Sequence, residues 1–391
     1  MRIIKFGVNN FRSISGGIQN NSVNFDNSNT IFLFGQNNVG KSTFLKAYDF
    51  FYSNQKATAD DFYKKRPNTT IEFEFTFELD ALDFGRVSSS APTKLTSLQT
   101  NWLNNNILKI KRTYTLDATG KNVEIKNYTL KNDSINWDNP SLTDWELKNY
   151  GGIGLDSIFQ SCLPRPIFIK AMPTEIEVET LINSILGDIA TNRLKDQDRV
   201  ELLAAQQKIR ELQDKLYNPD SLARYKSDVN IHFQELFPDL NIELIEKDKV
   251  VWSENKFGKN FSVKFNRLKE DGEHDLDVPN NYDKVGHGTI RTAIFTLLLM
   301  RDVAEEFERQ DNRKDYLVLF EEPELFLHPS LMKELRTLIY KVSKDDLPYQ
   351  VLCASHSPQM IDISKQKSSL VRMVSTDSGT KIFQINDTYL T

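Results

Sequence analysis

Alternating apolar and polar residues mark one group of strands in this chain. In Ile71–Leu79 every second residue is apolar, and most of the residues between them are acidic. This alternation predicts a half-buried antiparallel strand. Leu108–Leu116 and Val123–Leu130 continue the pattern on either side of a turn at Gly120, whereas the Ser-rich stretch Val87–Thr96 is expected to be a loop. The pattern predicts a small antiparallel sheet.

Largely apolar runs without alternation mark a second group of strands. They are Thr30–Phe34, Pro166–Ala171, Tyr316–Phe320 and Gln350–Ala354. Runs of this kind are typical of strands that are buried on both faces of a parallel sheet. We therefore predict an α/β fold with a mixed central sheet and an accessory antiparallel sheet.

A helical pattern extends from Thr174 to Leu216, and Pro219 is expected to end it. Apolar residues recur in it at heptad a and d spacing, at Leu202, Ala205, Ile209, Leu212 and Leu216. Two heptads permit a short coiled-coil seam, but a helical hairpin packed on its own domain is equally compatible. We therefore predict a main domain in residues 1–173 and 225–391, and a helical insertion in residues 174–224.

The composition is that of a globular protein of 391 residues, which is long enough for one large domain with an elaboration. Two distant cysteines, Cys162 and Cys353, lack metal-ligand spacing and are typical of small core residues in a reducing compartment. The sequence has no apolar run of membrane-spanning length, and its first residues do not resemble a signal peptide. We expect a cytoplasmic protein without membrane contact.

The net charge of −5 gives no general attraction to nucleic acid, so any DNA contact requires a local basic patch. Such a strip could combine Lys64–Arg66 with the strand cations Lys109, Lys111 and Arg112. The alternative is that these are solvated charges that protect an edge strand from aggregation.

The strongest chemical signal follows the apolar run Thr30–Phe34. Gly35–Ser42 matches the pattern G-x-x-x-x-G-K-[ST] between a strand-like and a helix-like segment. Its glycines allow backbone N–H groups to surround one anion, and Lys41 can reach the β- and γ-phosphates while Ser42 can bind Mg²⁺. The predicted phosphate-binding residues are Gly35, Gln36, Asn37, Asn38, Val39, Gly40, Lys41, Ser42 and Thr43.

Two adjacent carboxylates, Glu321 and Glu322, end the apolar run Tyr316–Phe320. A parallel strand buried beside the P-loop strand would place both at the sheet edge where α/β proteins bind ligands. Because successive strand residues point to opposite sides, one carboxylate can organise Mg²⁺ while the other faces the γ-phosphate and an attacking water.

Two further sequences fit a nucleotide site. His356 follows the apolar run Gln350–Ala354 after one serine, at a position where a γ-phosphate sensor would be needed. The turn Gly286-His287-Gly288 opens an amphipathic helix predicted from Thr292 to about Glu306, and a helix N-terminus attracts anions.

Taken in order, these motifs resemble the ABC-type ATPases, and in detail the ATPase domain of the OLD (overcoming lysogenization defect) family of ATP-dependent nucleases. The resemblance rests on four segments: Gly35–Ser42, Val285–Arg291, Phe320–Pro329 and Ala354–Pro358. It implies an ABC-type P-loop NTPase fold and the hydrolysis of ATP with Mg²⁺.

The resemblance also implies roles for individual residues. Glu321 would be the Walker B acid that organises Mg²⁺ with Ser42, Glu322 the catalytic base and His356 the switch histidine. Gly286, His287 and Gly288 would form the signature motif, which acts on the ATP of a second protomer. Two departures from the pattern concern the signature motif: the serine found in most ABC ATPases is absent, and Ile290 stands where the OLD group usually has Gln. Gln160 is the only candidate we name for the Q-loop glutamine.

The resemblance implies a homodimer that closes through its ATPase heads, with a second contact through the helical insertion. OLD nucleases carry a C-terminal Toprim domain, but only 35 residues follow His356. We therefore expect no nuclease centre in this chain. Either the chain is a fragment of a longer protein, or it is an ATPase that serves a separate nuclease, toxin or antiphage defence system. The alternatives are an ATP-gated DNA clamp of the SMC and RecF type and a transporter ATPase subunit.

Overall fold

The computed structural model describes residues 1–26, 28–90, 92–134, 136–137, 140–148, 162–191, 219–247, 260–275, 285–299, 315–343, 349–377 and 379–385. The strands are β1 (Arg2–Asn9), β2 (Ser22–Asn24), β3 (Thr30–Phe34), β4 (Thr70–Glu78), β5 (Ile107–Leu116), β6 (Val123–Leu130), β7 (Trp145–Lys148), β8 (Arg165–Ile169), β9 (Leu240–Lys247), β10 (Asn260–Arg267), β11 (Tyr316–Glu321), β12 (Tyr349–Ser355), β13 (Leu370–Thr376) and β14 (Gly379–Gln384). The helices are α1 (Lys41–Tyr52), α2 (Ala81–Ser90), α3 (Pro92–Asn101), α4 (Glu175–Thr191), α5 (Pro219–Gln234), α6 (His287–Leu299) and α7 (Pro329–Val342).

The chain divides into two compact units. The first comprises Met1–Ile169, Lys314–Glu322 and Ile339–Thr391, and the second comprises Lys170–Arg313 and Pro323–Leu338. The domain boundaries predicted from the sequence follow a different division, and the predicted end of the insertion at residue 224 falls within α5. Those boundaries stay a prediction.

The first unit contains an antiparallel sheet with the strand order β2-β1-β4-β5-β6-β7. The alternation in β4 places Ile71, Phe73, Phe75 and Phe77 in the core, because every second side chain points to the same face. The antiparallel sheet predicted from the sequence is therefore confirmed.

The first unit also contains the second six-stranded sheet, with the order β14-β13-β3-β12-β11-β8. Its strands are parallel except for β14. The prediction that β11 lies beside the P-loop strand β3 is wrong, because β12 lies between them. The strand that ends before His356 thus separates the P-loop strand from the carboxylate strand.

Helix α1 packs between these two sheets. On one side its Phe44 ring lies 4.8 Å from the ring of Phe6 on β1, and its Tyr48 ring lies 5.8 Å from the ring of Phe75 on β4. On the other side α1 contacts β8, β11 and β12. Burial raises the pKa of the Tyr48 phenol, which stays neutral and donates a hydrogen bond of 2.5 Å to the Pro164 carbonyl. The P-loop helix is therefore fixed by aromatic packing over most of its length.

The Ser-rich stretch Val87–Thr96 was expected to be a loop, and this expectation is wrong. It belongs to α2 and α3, apart from residue 91, which lies outside the described residues. Val87 and Leu98 are each only 3% exposed and belong to the hydrophobic core. The burial of these apolar residues outweighs the weak helix propensity of serine, which is a small effect per residue.

The proposed basic strip is also not formed as expected. Lys109 and Arg112 are buried, with Lys109 donating to the Trp137 carbonyl and Arg112 donating to the Phe51 carbonyl at 2.9 Å. Lys111 lies 3.3 Å from a carboxylate oxygen of Glu74. The alternative of an edge strand is wrong as well, since β5 is paired on both sides. These cations stabilise the sheet and the end of α1, where a positive charge is favourable.

In the second unit, β9 and β10 form an antiparallel pair, and α5 packs against β9. The Tyr225 hydroxyl of α5 donates to the Leu297 carbonyl of α6 at 3.0 Å. The a/d residues Leu202 to Leu216 and Gln160 lie outside the described residues. In the described part of the chain, no helix is long and apolar enough to cross a membrane.

Candidate nucleotide-binding site

The predicted phosphate-binding loop connects the end of β3 to the start of α1, as expected from its sequence. Gly40 has a φ of 102°, which favours glycine, and Asn38 has a φ of 63°. A Cβ atom at Gly35 would lie 2.3 Å from the carbonyl oxygen of Met373 in β13. Both glycines of the motif are thus required by the geometry, one by its φ angle and the other by close backbone packing.

Lys41 is directed into this loop and is only 5% exposed. Its Nζ donates to the carbonyl oxygens of Gly35 at 2.8 Å and Gln36 at 2.9 Å. It also lies 3.3 Å from Nδ1 of His356. A buried ammonium at the N-terminus of a helix concentrates positive charge where a phosphate group would bind.

A turn after β1 lies against the same loop, and sequence reasoning did not assign it to the site. The hydroxyl of Ser13 donates to the hydroxyl of Thr43 at 3.1 Å, and a Cβ atom at Gly40 would lie 3.0 Å from Ser13 Oγ. Arg12 has a φ of 52° and its backbone N–H donates to the Asp61 carbonyl at 2.7 Å. The sequence between β1 and β2 is rich in Asn, Ser and Gly, which favours a turn but does not by itself indicate a phosphate site.

The two adjacent carboxylates occupy different backbone environments. Glu321 is the last residue of β11, is buried, and lies 3.7 Å from Lys46 Nζ on α1. Glu322 follows the strand with a φ of 44°, and its N–H donates to the Ala354 carbonyl at 2.7 Å. The directions of the two side chains are therefore set by the left-handed conformation of Glu322 itself rather than by simple strand alternation, and backbone strain of this kind is typical of functional sites.

His356 lies between the P-loop lysine and the second carboxylate. Its Nε2 is 3.3 Å from Oε1 of Glu322, while its Nδ1 faces Lys41. A neutral imidazole that carries its proton on Nε2 can donate to Glu322 and accept from Lys41 at the same time. The order β3-β12-β11 is what brings these three side chains into one row.

The turn predicted to be the signature motif belongs to the second unit. It opens α6, which begins at His287 and is described to Leu299; residues 300–314 lie outside the description. A Cβ atom at Gly288 would lie 2.8 Å from both Leu327 Cδ2 and the Phe326 carbonyl oxygen. Gly288 is therefore required by packing within the chain.

At Gly286, by contrast, the nearest described atom to an added Cβ is Thr289 Oγ1 at 4.0 Å. The two glycines of this turn thus differ in what surrounds them.

Ile290, which stands where the OLD group usually has Gln, is fully buried. Its side chain therefore packs in the core and is not presented on the surface.

The residues of the first unit fit a magnesium nucleotide. Within the described parts of the chain no group of three or more His, Cys, Asp or Glu side chains is placed to hold a metal ion. Mg²⁺ commonly takes only one or two protein ligands and completes its coordination with phosphate oxygens and water. Ser42 and the buried Glu321 are suitable ligands for such an ion, and the loop N–H groups and Lys41 are suitable partners for phosphates.

Three comparisons place the chain among known proteins. Residues 1–361 match the model of a family described as AAA ATPase domain. The Old nuclease of Escherichia phage P2 is 25% identical over 249 residues, which cover 61% of this chain and 40% of that protein. The chain therefore spans about two fifths of the length of this curated relative.

Among solved structures, an SMC head bound to the C-winged helix domain of ScpA has a TM-score of 0.59 at 13% identity, with 100% of both chains covered. The SMC head domain from Thermotoga maritima has a TM-score of 0.44 at 12% identity, covering 99% of this chain and 100% of that one. The first of these confirms the predicted α/β fold of an ABC-type P-loop ATPase.

Proposed function

The chain belongs to the AAA ATPase domain family, and we propose that it binds ATP with Mg²⁺ and hydrolyses it at the row of residues formed by Lys41, His356 and Glu322. The predicted resemblance to the ATPase domain of the OLD family is confirmed by the phage P2 relative. The observation that carries the proposal is the convergence of a phosphate-binding loop, a buried carboxylate and a His–Glu pair at one end of neighbouring parallel strands.

Each residue has a distinct role in the proposed reaction. Lys41 and the N–H groups of Gly35–Thr43 would hold the phosphates. Ser42 and Glu321 would hold Mg²⁺, which would supply positive charge to the phosphate oxygens. Glu322 accepts the proton of the attacking water. His356 orients the Glu322 carboxylate through Nε2 and stabilises the γ-phosphate.

Phosphate release from ATP by the purified protein tests this proposal. Activity is expected with Mg²⁺ and should disappear when EDTA removes the ion. A preparation that binds ATP but releases no phosphate, alone or with DNA added, would exclude hydrolysis at this site.

We further propose that the hydrolytic site is completed by a second protomer. Gly286, His287 and Gly288 open helix α6, whose N-terminus attracts anions, and among the described residues the nearest atom to a Cβ added at Gly286 is Thr289 Oγ1 at 4.0 Å. A two-fold dimer with one nucleotide held between each P-loop and the partner's turn would be isologous. A second contact would come from the Leu202/Ile209/Leu216 stripe of the helical insertion.

Closure of the dimer can be measured by sedimentation velocity. In the two-contact arrangement the protein is a dimer without nucleotide and becomes more compact with Mg-ATP. Replacing both Ile209 and Leu212 by Lys should yield monomers that still bind ATP and hydrolyse it slowly. A wild-type protein that is monomeric with ATP would contradict the arrangement, as would a double variant that still dimerises without nucleotide.

The two glycines of the turn provide a matched pair of variants. Gly286→Ala should leave thermal stability unchanged, because the added Cβ meets no described atom closer than 4.0 Å. If a second protomer's nucleotide approaches this turn, the variant should hydrolyse ATP roughly 10- to 100-fold more slowly, since small misplacements are costly in catalysis.

Gly288→Ala is the comparison, because its Cβ would clash with Phe326 and Leu327 within the same chain. It should lower the melting temperature as well as activity. Full activity in Gly286→Ala would remove this turn from the composite site.

We propose that the ATPase controls a nuclease or genome-defence activity that is supplied outside the described residues. The name of the phage P2 relative supports this direction, although the chain spans only part of its length. The second candidate is an ATP-gated DNA clamp of the SMC and RecF type, and the similarity in fold to an SMC head supports it. The neighbouring genes distinguish these two proposed functions. A nuclease or toxin gene would support the first, and repair genes would support the second.

A further inference from the structure

The contacts of Lys41 suggest that His356 does more than sense a γ-phosphate. An ammonium group has three N–H donors. Among the described residues, the acceptors within reach of Lys41 Nζ include three: the Gly35 oxygen at 2.8 Å, the Gln36 oxygen at 2.9 Å and His356 Nδ1 at 3.3 Å. A phosphate that binds Lys41 must therefore compete with at least one of them.

The contact with His356 is the longest of the three and so the easiest to give up, because hydrogen bonds weaken with distance. It is also the one that connects Lys41 to the catalytic machinery. The same imidazole lies 3.3 Å from the Glu322 carboxylate through its other nitrogen. When Lys41 exchanges its hydrogen-bond partner, the imidazole that contacts Glu322 is therefore directly affected.

We propose that His356 Nδ1 competes with the nucleotide for Lys41, so that phosphate binding detaches Lys41 from His356 and frees the His356–Glu322 pair for catalysis. This inference rests on the proposed nucleotide site. The contact between His356 and Lys41 would lower the affinity for nucleotide, whereas a contact between His356 and a γ-phosphate would raise the affinity for ATP.

ADP separates the two roles because it has no γ-phosphate. Two substitutions test the functions of the two ring nitrogens one at a time. An Asn side chain places its oxygen close to the position of Nδ1, and a Gln side chain places its NH₂ close to that of Nε2. His356→Gln keeps a donor for Glu322 and loses the acceptor for Lys41. His356→Asn keeps the acceptor and loses the donor.

Isothermal titration with ADP is the measurement. His356→Gln should bind ADP about 5-fold more tightly than the wild type, the scale of one ordinary hydrogen bond. His356→Asn should bind ADP as the wild type does. His232→Gln is a control for replacing a histidine, because His232 lies on α5, where it pairs with Glu235.

Unchanged or weaker ADP binding in His356→Gln would overturn the competition, as would an equal gain in both variants. If the wild type binds neither ADP nor ATP, the proposed nucleotide site falls together with this inference. If the wild type binds ATP normally and the Gln variant gains nothing for ADP, only the competition falls. Circular dichroism of each variant establishes that it is folded.

Discussion

Replacing Glu322 by Gln is expected to slow ATP hydrolysis at least about 100-fold, the usual scale for the loss of a general base. ATP binding should stay intact, because Glu322 lies 3.3 Å from His356 and is not among the residues expected to hold the phosphates or Mg²⁺. A Gln side chain has nearly the same shape and can still accept a hydrogen bond from His356 Nε2. The lost function is then the ability to accept a proton from water.

The measurement is single-turnover phosphate release together with the affinity for a fluorescent ATP analogue. His356→Ala should slow turnover by a smaller factor, because the histidine orients a base and does not itself remove the proton. Glu321→Gln is the comparison at the neighbouring carboxylate and should raise the Mg²⁺ concentration required for activity. If Glu321→Gln traps ATP and Glu322→Gln does not, the two roles are reversed.

Lys41→Ala is expected to abolish measurable nucleotide binding. Hydrogen bonds to charged groups contribute about 1.5–3 kcal/mol each. Loss of contacts to both the β- and γ-phosphates therefore predicts at least about 100-fold weaker binding, at 1.4 kcal/mol for each factor of ten. The burial of Lys41 and its position in the P-loop make compensation by another side chain difficult.

Lys46→Ala is a matched control, since Lys46 is on the same helix and its side chain is 47% exposed, 3.7 Å from Glu321. It removes one positive charge near the site without touching the loop, and ATP affinity should fall only slightly. Equal losses in both variants would mean that charge in general, rather than the P-loop lysine, drives binding. Unchanged affinity in a folded Lys41→Ala protein would remove the P-loop assignment.

The sequence alone predicted most of the elements around the candidate site. The P-loop, the strands that precede Glu321 and His356, and the alternation of β4 are local patterns in which spacing and residue type determine the backbone. Gly35 and Lys41 could be predicted to bind phosphate for this reason, because a phosphate-binding turn requires particular residues at fixed positions. The resemblance to OLD ATPase domains followed from the same segments and is confirmed.

The tertiary structure decided which of these elements are neighbours, and here sequence reasoning failed in specific ways. The order β3-β12-β11 places the His356 strand between the other two, although β12 comes last of the three in the chain. Nothing local encodes such an order, because strand pairing depends on contacts between residues far apart in sequence. The Lys41–His356–Glu322 row depends on that order.

Burial was likewise decided by partners distant in the chain. The charges of Lys109 and Arg112 suggested solvent or DNA, yet both side chains are buried and bind carbonyl oxygens supplied by other segments. The requirement for glycine at position 288 comes from Phe326 and Leu327, almost forty residues later. A sequence specifies which groups need partners, but only the folded chain determines which partners they find, because a polar group is stable in the core only when another segment satisfies its hydrogen bonds.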